Sequence, residues 1–382
     1  MMAAAHGSAG RLPLVIRPPA LNPTRPAPAV VQRLRRLPLH TLEEVRARFP
    51  DVPIEVAERG PHFPSLRLLT TSTCRMRCQY PGEDGLLWCH NEGLERNGIP
   101  AADWPTMLQV VAHLRARYGI REVVLAGLQP RLDEELVWFI GALHAAGIDK
   151  VSMTSHGLKL LDWLPRLREA GLDALVLSVQ GFSRQTYWEV MGVDAFANAL
   201  AVVELAGRLG LTVAVNRVVV RGQQHDIPAF LDWIRRHDLW VRLYDLMWNP
   251  GHDEEFLRHH ISWQELIPLW EPAIERIRVW DWTRSGRINL LFELTGGGRI
   301  ETNTSTPMSQ HDAEVCQSCP VNQACTEGWL GCGIRVTPDF QIQPCLWRRN
   351  LRFPLLPLLE RGPEDPANAA LDAHLLGNVS VR

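Results

Sequence analysis

The sequence predicts an α/β fold: a partial (β/α)6 barrel of the TIM type, followed by a small cysteine-rich module near the C-terminus. Short β-branched runs alternate with amphipathic helical patterns at a spacing of about 30 residues, which is typical of parallel β/α units. The six predicted strands are Leu66–Thr71, Glu122–Gly127, Lys150–Ser155, Ala174–Val179, Leu211–Val220 and Trp240–Leu246. Periodicity alone leaves a doubly wound sheet as the alternative, and in both arrangements ligands bind at the carboxyl ends of the strands.

The segments between the predicted strands have helical periodicity and end at glycines. Leu136, Ile140 and Leu143 are spaced i, i+4 and i+7, and their pattern stops before Gly147. A second helical pattern stops in the same way at Gly171. Glycine ends helices because it adopts the left-handed conformation at no steric cost. We therefore expect amphipathic helices that cover one face of the sheet.

The regions outside the barrel differ from it in composition. The N-terminal arm is rich in Pro and Arg, has no acidic residue before Glu43, and is predicted to be flexible. It is either a solvated tail or a contact for an acidic partner. The predicted boundaries are 1–36 for this arm, 37–63 for an N-terminal extension, 64–250 for the barrel, 251–310 for a connector containing a run of three glycines, 311–350 for the auxiliary cysteine module and 351–382 for a C-terminal tail.

Charge and hydropathy exclude several classes of protein. The chain of 382 residues has 40 Lys and Arg against 42 Asp and Glu, a formal net charge of −2, which gives no support to nucleic-acid binding. No apolar run reaches the roughly 18 residues of a membrane-spanning helix, and charged residues and prolines interrupt the N-terminus where a signal peptide has its apolar core. We therefore expect a cytoplasmic protein with no nucleic-acid or membrane partner. In that reducing compartment, eight cysteines favour metal or catalytic roles over disulfides.

The first group of cysteines, Cys74, Cys78 and Cys89, lies in a polar loop directly after the first predicted strand. Three thiolates can hold three irons of a 4Fe–4S cluster and leave the fourth iron open for another ligand. A structural zinc site takes four ligands. His90 would supply the fourth, so zinc is the alternative.

This loop resembles that of the radical S-adenosylmethionine (SAM) enzymes, whose signature is Cys-x3-Cys-x2-Cys with an aromatic residue before the third cysteine. Cys74 and Cys78 have the family spacing, whereas ten residues separate Cys78 from Cys89, as in a lengthened loop. The resemblance implies a 4Fe–4S cluster on these three cysteines and SAM at its open iron. It gives Tyr80 or Trp88 the aromatic position beside the adenine.

Within this superfamily the chain most resembles the GTP 3′,8-cyclases of molybdenum-cofactor synthesis. Six segments follow that family's order: Ser65–Leu68, Met153–Gly157, Glu169–Asp173, Leu177–Val179, Val215–Gly222 and Val241–Met247. By this resemblance Ser178, Asn216, Arg242 and Met247 lie around SAM. Ordinary packing at strand ends is the alternative for Ser178 and Met247.

One turn of the family is altered in this chain. The Gly-Gly-Glu-Pro turn that binds the SAM amino group is replaced by Gly127-Leu-Gln129-Pro. The side-chain oxygen of Gln129 still accepts a hydrogen bond from an ammonium group, without the charge assistance of a carboxylate. We therefore expect SAM binding with a changed contact at Gly127 and Gln129.

The positions that grip a triphosphate in the GTP cyclases are only partly kept. Val124 and Ala214 stand where the family has cations, whereas Arg67 matches a third cation. Fewer cations weaken a clamp for a triphosphate, so we expect a substrate other than GTP. Arg67 and Arg335 are the candidate substrate contacts, with a surface role as the alternative for both.

The second group of cysteines comprises Cys316, Cys319, Cys325, Cys332 and Cys345, one more than a 4Fe–4S cluster needs. Cys316, Cys319 and Cys345 resemble the auxiliary-cluster ligands of the GTP cyclases, and residues 334–339 resemble that family's hairpin. The Cys-x2-Cys-x5-Cys start is similar to the SPASM and twitch modules of other radical SAM enzymes. A fourth cysteine would close the cluster, making it an electron conduit or a structural element. A zinc site of four cysteines is the alternative.

The resemblance implies a function that composition does not. SAM would be cleaved reductively at the first cluster, and the resulting 5′-deoxyadenosyl radical would abstract hydrogen from a small molecule such as a nucleoside, nucleotide or sugar. An external reductant such as flavodoxin or ferredoxin would supply the electron. Two alternatives remain: a maturase that modifies a peptide, and a non-catalytic scaffold for iron–sulfur or zinc.

Overall fold

The computed structural model describes residues 24–37, 39, 41–58, 65–78, 94, 98–127, 129–282, 287–305, 314–330 and 333–376. Its strands are β1 Ile54–Glu58, β2 Ser65–Leu69, β3 Glu122–Ala126, β4 Lys150–Ser155, β5 Ala174–Ser178, β6 Thr212–Val219, β7 Trp240–Asp245, β8 Ile274–Trp282, β9 Arg287–Leu294, β10 Arg299–Ser305, β11 Ile334–Val336, β12 Gln341–Gln343 and β13 Phe353–Pro354. Its α-helices are α1 Pro28–Arg35, α2 Leu42–Arg48, α3 Trp104–Tyr118, α4 Glu134–Ala145, α5 Leu160–Glu169, α6 Arg184–Met191, α7 Phe196–Arg208, α8 Ile227–Arg236, α9 Asp253–His259, α10 Trp263–Leu266, α11 Glu314–Gln317, α12 Leu356–Leu359 and α13 Ala369–Leu376.

The barrel strands stand in chain order. Strands β2 to β7 are parallel neighbours in one sheet, whose described strands run β1-β8-β9-β10-β7-β6-β5-β4-β3-β2-β11-β12-β13. Sequential order turns the sheet in one direction, as in a barrel, whereas a doubly wound sheet reverses direction after its first strands. The predicted partial barrel is therefore confirmed. Each of the six predicted strands agrees with its observed bounds to within two residues.

The two faces of the barrel strands differ in polarity. On β2, Leu66 and Leu68 are fully buried, whereas Arg67 between them is only half-buried. Successive side chains of a strand point to opposite faces, and Leu66 and Leu68 belong to the main core between the sheet and its helices. The face of Arg67 lines the interior of the barrel, where a ligand can meet polar side chains.

The helices that cover the sheet begin and end where the sequence indicates. Asp133 caps α4 by accepting the Leu136 N–H at 2.9 Å, and the glycines that follow α4 and α5, Gly147 and Gly171, have φ of +87° and +111°. Both glycine predictions are confirmed. Among the described residues no single helix has the length and apolar character needed to cross a bilayer, although α6 and α7, which meet at a bend of 101°, would qualify as a pair by length and composition.

The segment expected to be a connector, 251–310, instead extends the sheet. Strand β10 pairs in parallel with β7, β9 pairs antiparallel with β10, and β8 joins β9 to β1. The glycine run Gly296 to Gly298 is the turn between β9 and β10, and all three residues have positive φ. A two-strand turn and a linker have the same composition, which is why the sequence alone suggested a connector.

The described part of the N-terminal arm also differs from the expected flexible tail. Helix α1 buries Val30 completely, the Ala27 N–H donates to Asp253 at 3.3 Å, and Arg33 Nε donates to His260 Nδ1 at 3.1 Å. An apolar stripe within a Pro- and Arg-rich segment is enough to dock one short helix. Residues 1–23 of this arm lie outside the described residues.

The C-terminal residues pack back onto the barrel. Strands β11 and β12 form the expected hairpin, and β11 pairs in parallel with β2. The segment expected to be a tail contains α13, where Asp372 forms an ion pair with Arg117 and accepts the Tyr118 hydroxyl at 2.8 Å. These contacts attach α13 to α3.

An ion pair lies in the core on the outer face of β6. The side chains of Arg217 and Asp226 are 2% and 4% exposed and contact each other. Asp226 also accepts the Phe182 N–H at 2.5 Å and the Thr186 hydroxyl at 3.0 Å. Arg217 lies over the ring of Phe230 at 4.6 Å, and burial lowers the pKa of its guanidinium. The pair ties the start of α6 to β6.

Candidate functional site

Cys74 and Cys78 lie in the loop that leaves the carboxyl end of β2. Both side chains are half-buried, and neither forms a disulfide. The Met76 N–H donates to Cys74 Sγ at 3.4 Å, and a hydrogen bond of this kind stabilises a thiolate. The other predicted residues of this loop, Tyr80, Trp88 and Cys89, lie outside the described residues.

The C-terminal turn of α6 supports this loop. The Arg77 N–H donates to the Met191 carbonyl at 3.0 Å, and the sulfur atoms of Cys78 and Met191 are 4.0 Å apart. Gly192, with φ of +66°, has no room for a side chain, because a Cβ there would lie 2.3 Å from the Arg77 carbonyl oxygen. Neither Met191 nor Gly192 stands out in the sequence, although a glycine at the end of an amphipathic helix is a usable signal.

The altered turn after β3 forms a compact junction with the ends of β2 and β4. A Cβ at Gly127 would lie 2.7 Å from the Thr71 carbonyl oxygen, so the close approach of the two loops requires glycine. Gln129 Oε1 accepts the His156 N–H at 3.2 Å, and its Nε2 donates to Ser155 Oγ at 3.2 Å. The amide of Gln129 is therefore held in place by β4, at the carboxyl edge of the barrel.

Three of the residues predicted to surround SAM form one row across adjacent strands. Ser178 on β5 pairs with Asn216 on β6, and Asn216 pairs with Arg242 on β7. The row continues to Glu301 on β10, whose Oε2 accepts Arg242 Nε at 2.9 Å. Residues paired in this way present their side chains to the same face of the sheet. The structure therefore brings Ser178, Asn216 and Arg242 together inside the barrel.

This row contains a buried hydrogen-bond acceptor, Asn216 Oδ1, and an ion pair between Arg242 and Glu301 that the sequence does not predict. The buried Oδ1 of Asn216 has no hydrogen-bond partner among the described residues, and a buried polar atom of this kind is costly unless a ligand or water satisfies it. The side chain of Glu301 is only 14% exposed. Its position was missed because β10 lies in the segment that the sequence suggested was a connector.

Met247 lies two residues after β7, beside a second hydrophobic core. That core joins Val30 of α1, Trp248 and the C-terminal residues Leu346 and Trp347, and Met247 packs against it. The end of β7 is thus in contact with both the N-terminal helix and the auxiliary cysteine module. Met247 therefore has a packing role at the end of β7.

The two candidate substrate contacts stand side by side. Arg335 on β11 pairs with Arg67 on β2, so both arginines lie on the same face of neighbouring strands. Arg335 is 1% exposed, and its Nη2 lies 2.9 Å from Glu327 Oε2. A surface role for Arg335 is therefore wrong. Arg67 is half-buried.

Four cysteines of the second group line one small cavity of about 20 Å³. They are Cys316, Cys319, Cys325 and Cys345. Two tryptophans, Trp329 and Trp347, form part of the wall. The fifth cysteine, Cys332, lies outside the described residues. Within the part of the chain that the structure describes, no three Cys, His, Asp or Glu side chains converge on a single metal ion.

Backbone N–H groups point at three of these sulfur atoms. The donors are those of Trp329 to Cys316, of Glu327 and Gly328 to Cys325, and of Trp347 and Arg348 to Cys345. Burial raises the pKa of Cys316 and of Cys325 to about 12, and it also raises the pKa of Cys345. A thiol with a raised pKa loses its proton when a metal binds it, and N–H donors then stabilise the thiolate.

The fold and the cysteine loop define the class of this protein. A family model for the radical SAM superfamily matches residues 68–234, from β2 through the cysteine loop to α8. Residues 68–234 are thus a radical SAM domain, which indicates an enzyme of the radical SAM type, and the family of that domain implies a 4Fe–4S cluster and SAM.

Curated relatives of this chain include cyclases. A GTP 3′,8-cyclase of Stenotrophomonas maltophilia is 27% identical over 322 residues, which cover 83% of this chain and 90% of the relative. A probable GTP 3′,8-cyclase of Methanothermobacter thermautotrophicus is 25% identical over 291 residues, 75% of this chain and 85% of the relative. Among solved structures, Streptococcus suis SuiB bound to SAM has a TM-score of 0.52 at 13% identity, covering 81% of this chain and 68% of SuiB. That likeness shows a shared fold.

Proposed function

We propose that this radical SAM enzyme acts in a tailoring reaction on a small molecule, a nucleoside, nucleotide or sugar other than GTP. The observation that carries this proposal is the apolar character of two positions inside the barrel, Val124 and Ala214. Val124 pairs with Arg67 across β2 and β3, and Ala214 pairs with Trp240 across β6 and β7. Apolar side chains there offer no charge-assisted bonds to a triphosphate.

We assign the first cluster to Cys74, Cys78 and Cys89. The half-buried thiols at the carboxyl end of β2 and the N–H donor to Cys74 support a site of thiolate ligands. When bound, the cluster and SAM supply the one-electron cleavage that yields a 5′-deoxyadenosyl radical, which abstracts hydrogen from the substrate. The protein contributes position and the exclusion of water.

The SAM site is proposed to follow the row of polar side chains inside the barrel. Asn216 Oδ1 is a buried acceptor suited to a hydroxyl or ammonium donor. Arg242 has five N–H donors, of which Nε is bonded to Glu301, and this bond orients the guanidinium. Ser178 stands next in the row, and Gln129 at the carboxyl edge offers its amide oxygen. Gly127, Met247 and an aromatic residue, Tyr80 or Trp88, complete the proposed site.

A second 4Fe–4S cluster is proposed on Cys316, Cys319, Cys325 and Cys345, with Cys332 as the spare cysteine. A zinc ion holds four thiolates about 2.3 Å from one point, whereas the thiolates of a 4Fe–4S cluster bind four separate irons and stand further apart. Four thiols that line one cavity support a cluster held by four cysteines. Four cysteine ligands leave no open iron, so the proposed roles are electron transfer and structural support.

Anaerobic reconstitution tests both assignments. We expect about eight irons per chain, and 5′-deoxyadenosine after addition of dithionite and SAM. Cys74→Ala should abolish 5′-deoxyadenosine and leave about four irons. A full complement of iron without 5′-deoxyadenosine would contradict the enzyme assignment. Conversion of GTP to a cyclised product would contradict the proposed substrate class while leaving the radical chemistry intact.

A peptide is the second candidate substrate, favoured by the fourth cysteine in the auxiliary cavity. Cys325 lies in the Cys-x2-Cys-x5-Cys spacing that resembles the modules of peptide-modifying enzymes, and it shares the cavity with Cys345. A precursor-peptide gene beside this gene, and mass loss from that peptide on incubation with the reduced enzyme and SAM, would establish this alternative. Mass loss from a nucleoside or sugar under the same conditions would exclude it.

A further inference from the structure

The hydroxyl of Tyr187 is buried and unsatisfied. Tyr187 lies on α6, its side chain is 0% exposed, and its hydroxyl oxygen has no hydrogen-bond partner among the described residues. Its ring packs against Phe196, with the ring centroids 5.9 Å apart. A phenylalanine would make the same packing contact without burying a polar atom. We therefore expect a hydrogen-bond partner for this hydroxyl when the site is occupied.

The cysteine loop is the neighbour that can supply one. Met191 is one helical turn after Tyr187 on the same face of α6, and its sulfur lies 4.0 Å from Cys78 Sγ. The Arg77 N–H is bonded to the Met191 carbonyl, which fixes this turn of α6 beneath the loop. Burial raises the pKa of the Tyr187 hydroxyl, and the nearby Cys78 raises it further.

We propose that Tyr187 donates a hydrogen bond from its hydroxyl to Cys78 Sγ when the first cluster is bound, and thereby raises the reduction potential of that cluster. This inference rests on the proposed function, in which Cys78 is a cluster ligand. The cluster gains one electron from the external reductant, so the reduced state carries one more negative charge. A donor to a ligand sulfur stabilises the more negative state more strongly, and hydrogen bonds to cluster sulfurs are among the determinants of potential. The bond also satisfies the buried hydroxyl.

Tyr187→Phe is the direct test, because it removes one oxygen atom and keeps the ring. The midpoint potential of the first cluster is measured by redox titration with electron paramagnetic resonance, without SAM. The signal of this cluster is the one that Cys78→Ala abolishes. We expect the potential in Tyr187→Phe to fall by about 59 mV, which corresponds to a tenfold change in the equilibrium of a one-electron couple. An exchangeable proton coupled to the reduced wild-type cluster should disappear in the variant.

Tyr118→Phe is the matched control. The Tyr118 hydroxyl is bonded to Asp372, between α3 and α13, so its loss should leave the potential unchanged. An unchanged potential in Tyr187→Phe, with the cluster signal and iron content of the wild type, would overturn the inference. Absence of the first-cluster signal from the wild type itself would instead contradict the assignment of Cys78, and so the two failures are distinguishable.

Discussion

Replacement of Gly192 by alanine tests how α6 supports the cysteine loop. A Cβ at this position would lie 2.3 Å from the Arg77 carbonyl oxygen, whereas real Cβ atoms do not come closer than 3.0 Å to such an atom. The loop backbone must therefore retreat by the 0.7 Å between these distances. Cys78 follows Arg77 directly, so the displacement reaches a proposed cluster ligand.

The expected loss of stability has two parts: the cost of the left-handed conformation and the cost of the contact with the loop. Gly119 ends α3 with φ of +67°, almost the φ of Gly192, but a Cβ at Gly119 meets no atom within 4 Å. Alanine in the left-handed conformation costs about 1–2 kcal/mol at either position. Gly192→Ala should lose about 1–3 kcal/mol more, because it also overpacks the contact with the loop.

Urea denaturation measures the loss of stability in both variants, and iron analysis measures the loss of the first cluster. Both variants should lose stability, but only Gly192→Ala should lose iron from the first cluster and form less 5′-deoxyadenosine. The first site is measured alone in a Cys345→Ala background, which is expected to lack the second cluster. If Gly192→Ala retains the iron and the 5′-deoxyadenosine yield of Gly119→Ala, then the contact between α6 and the loop does not support the site.

Three further predictions have defined outcomes. Glu301→Gln should raise the KM for SAM several-fold, with a smaller change in kcat, because the arginine of β7 loses its charged partner; equal changes in both would refute a positioning role. Asp226→Asn should lower the free energy of unfolding by about 3 kcal/mol, because it leaves the buried charge of Arg217 without its partner; a loss below about 1 kcal/mol in urea denaturation would contradict this. Cys325→Ala should remove the second cluster and leave about four irons per chain, whereas Cys332→Ala should leave about eight; the reverse result would make Cys332 the ligand.

Local patterns were sufficient for the barrel. The alternation on β2, with Leu66 and Leu68 buried and Arg67 turned inward, involves only neighbouring residues, and so does the end of α4 before Gly147. Local patterns gave a wrong prediction where the same composition fits both a linker and a turn. The run Gly296 to Gly298 reads as a linker and is a turn between two strands.

The candidate site was predictable only in part. Ser178, Asn216 and Arg242 were identified through a family resemblance, and their adjacency follows once β5, β6 and β7 are parallel neighbours. Glu301 was not identified, because an acidic residue in a short strand has no signal of its own. Tyr187 was missed for a related reason: a tyrosine on the apolar face of a helix looks like ordinary core until its hydroxyl is found without a partner.

The sequence by itself determined the order of the β/α units, the division of the cysteines into two groups and the thiolate chemistry that they offer, because these depend on residue type and on close neighbours. The tertiary structure alone decided which distant residues meet. Arg242 and Glu301 are 59 positions apart, and Cys78 and Met191 are 113 apart. Such contacts depend on how the sheet closes and how each helix packs on it, so no local pattern encodes them. For the same reason, only the structure showed that Cys325 shares a cavity with Cys345.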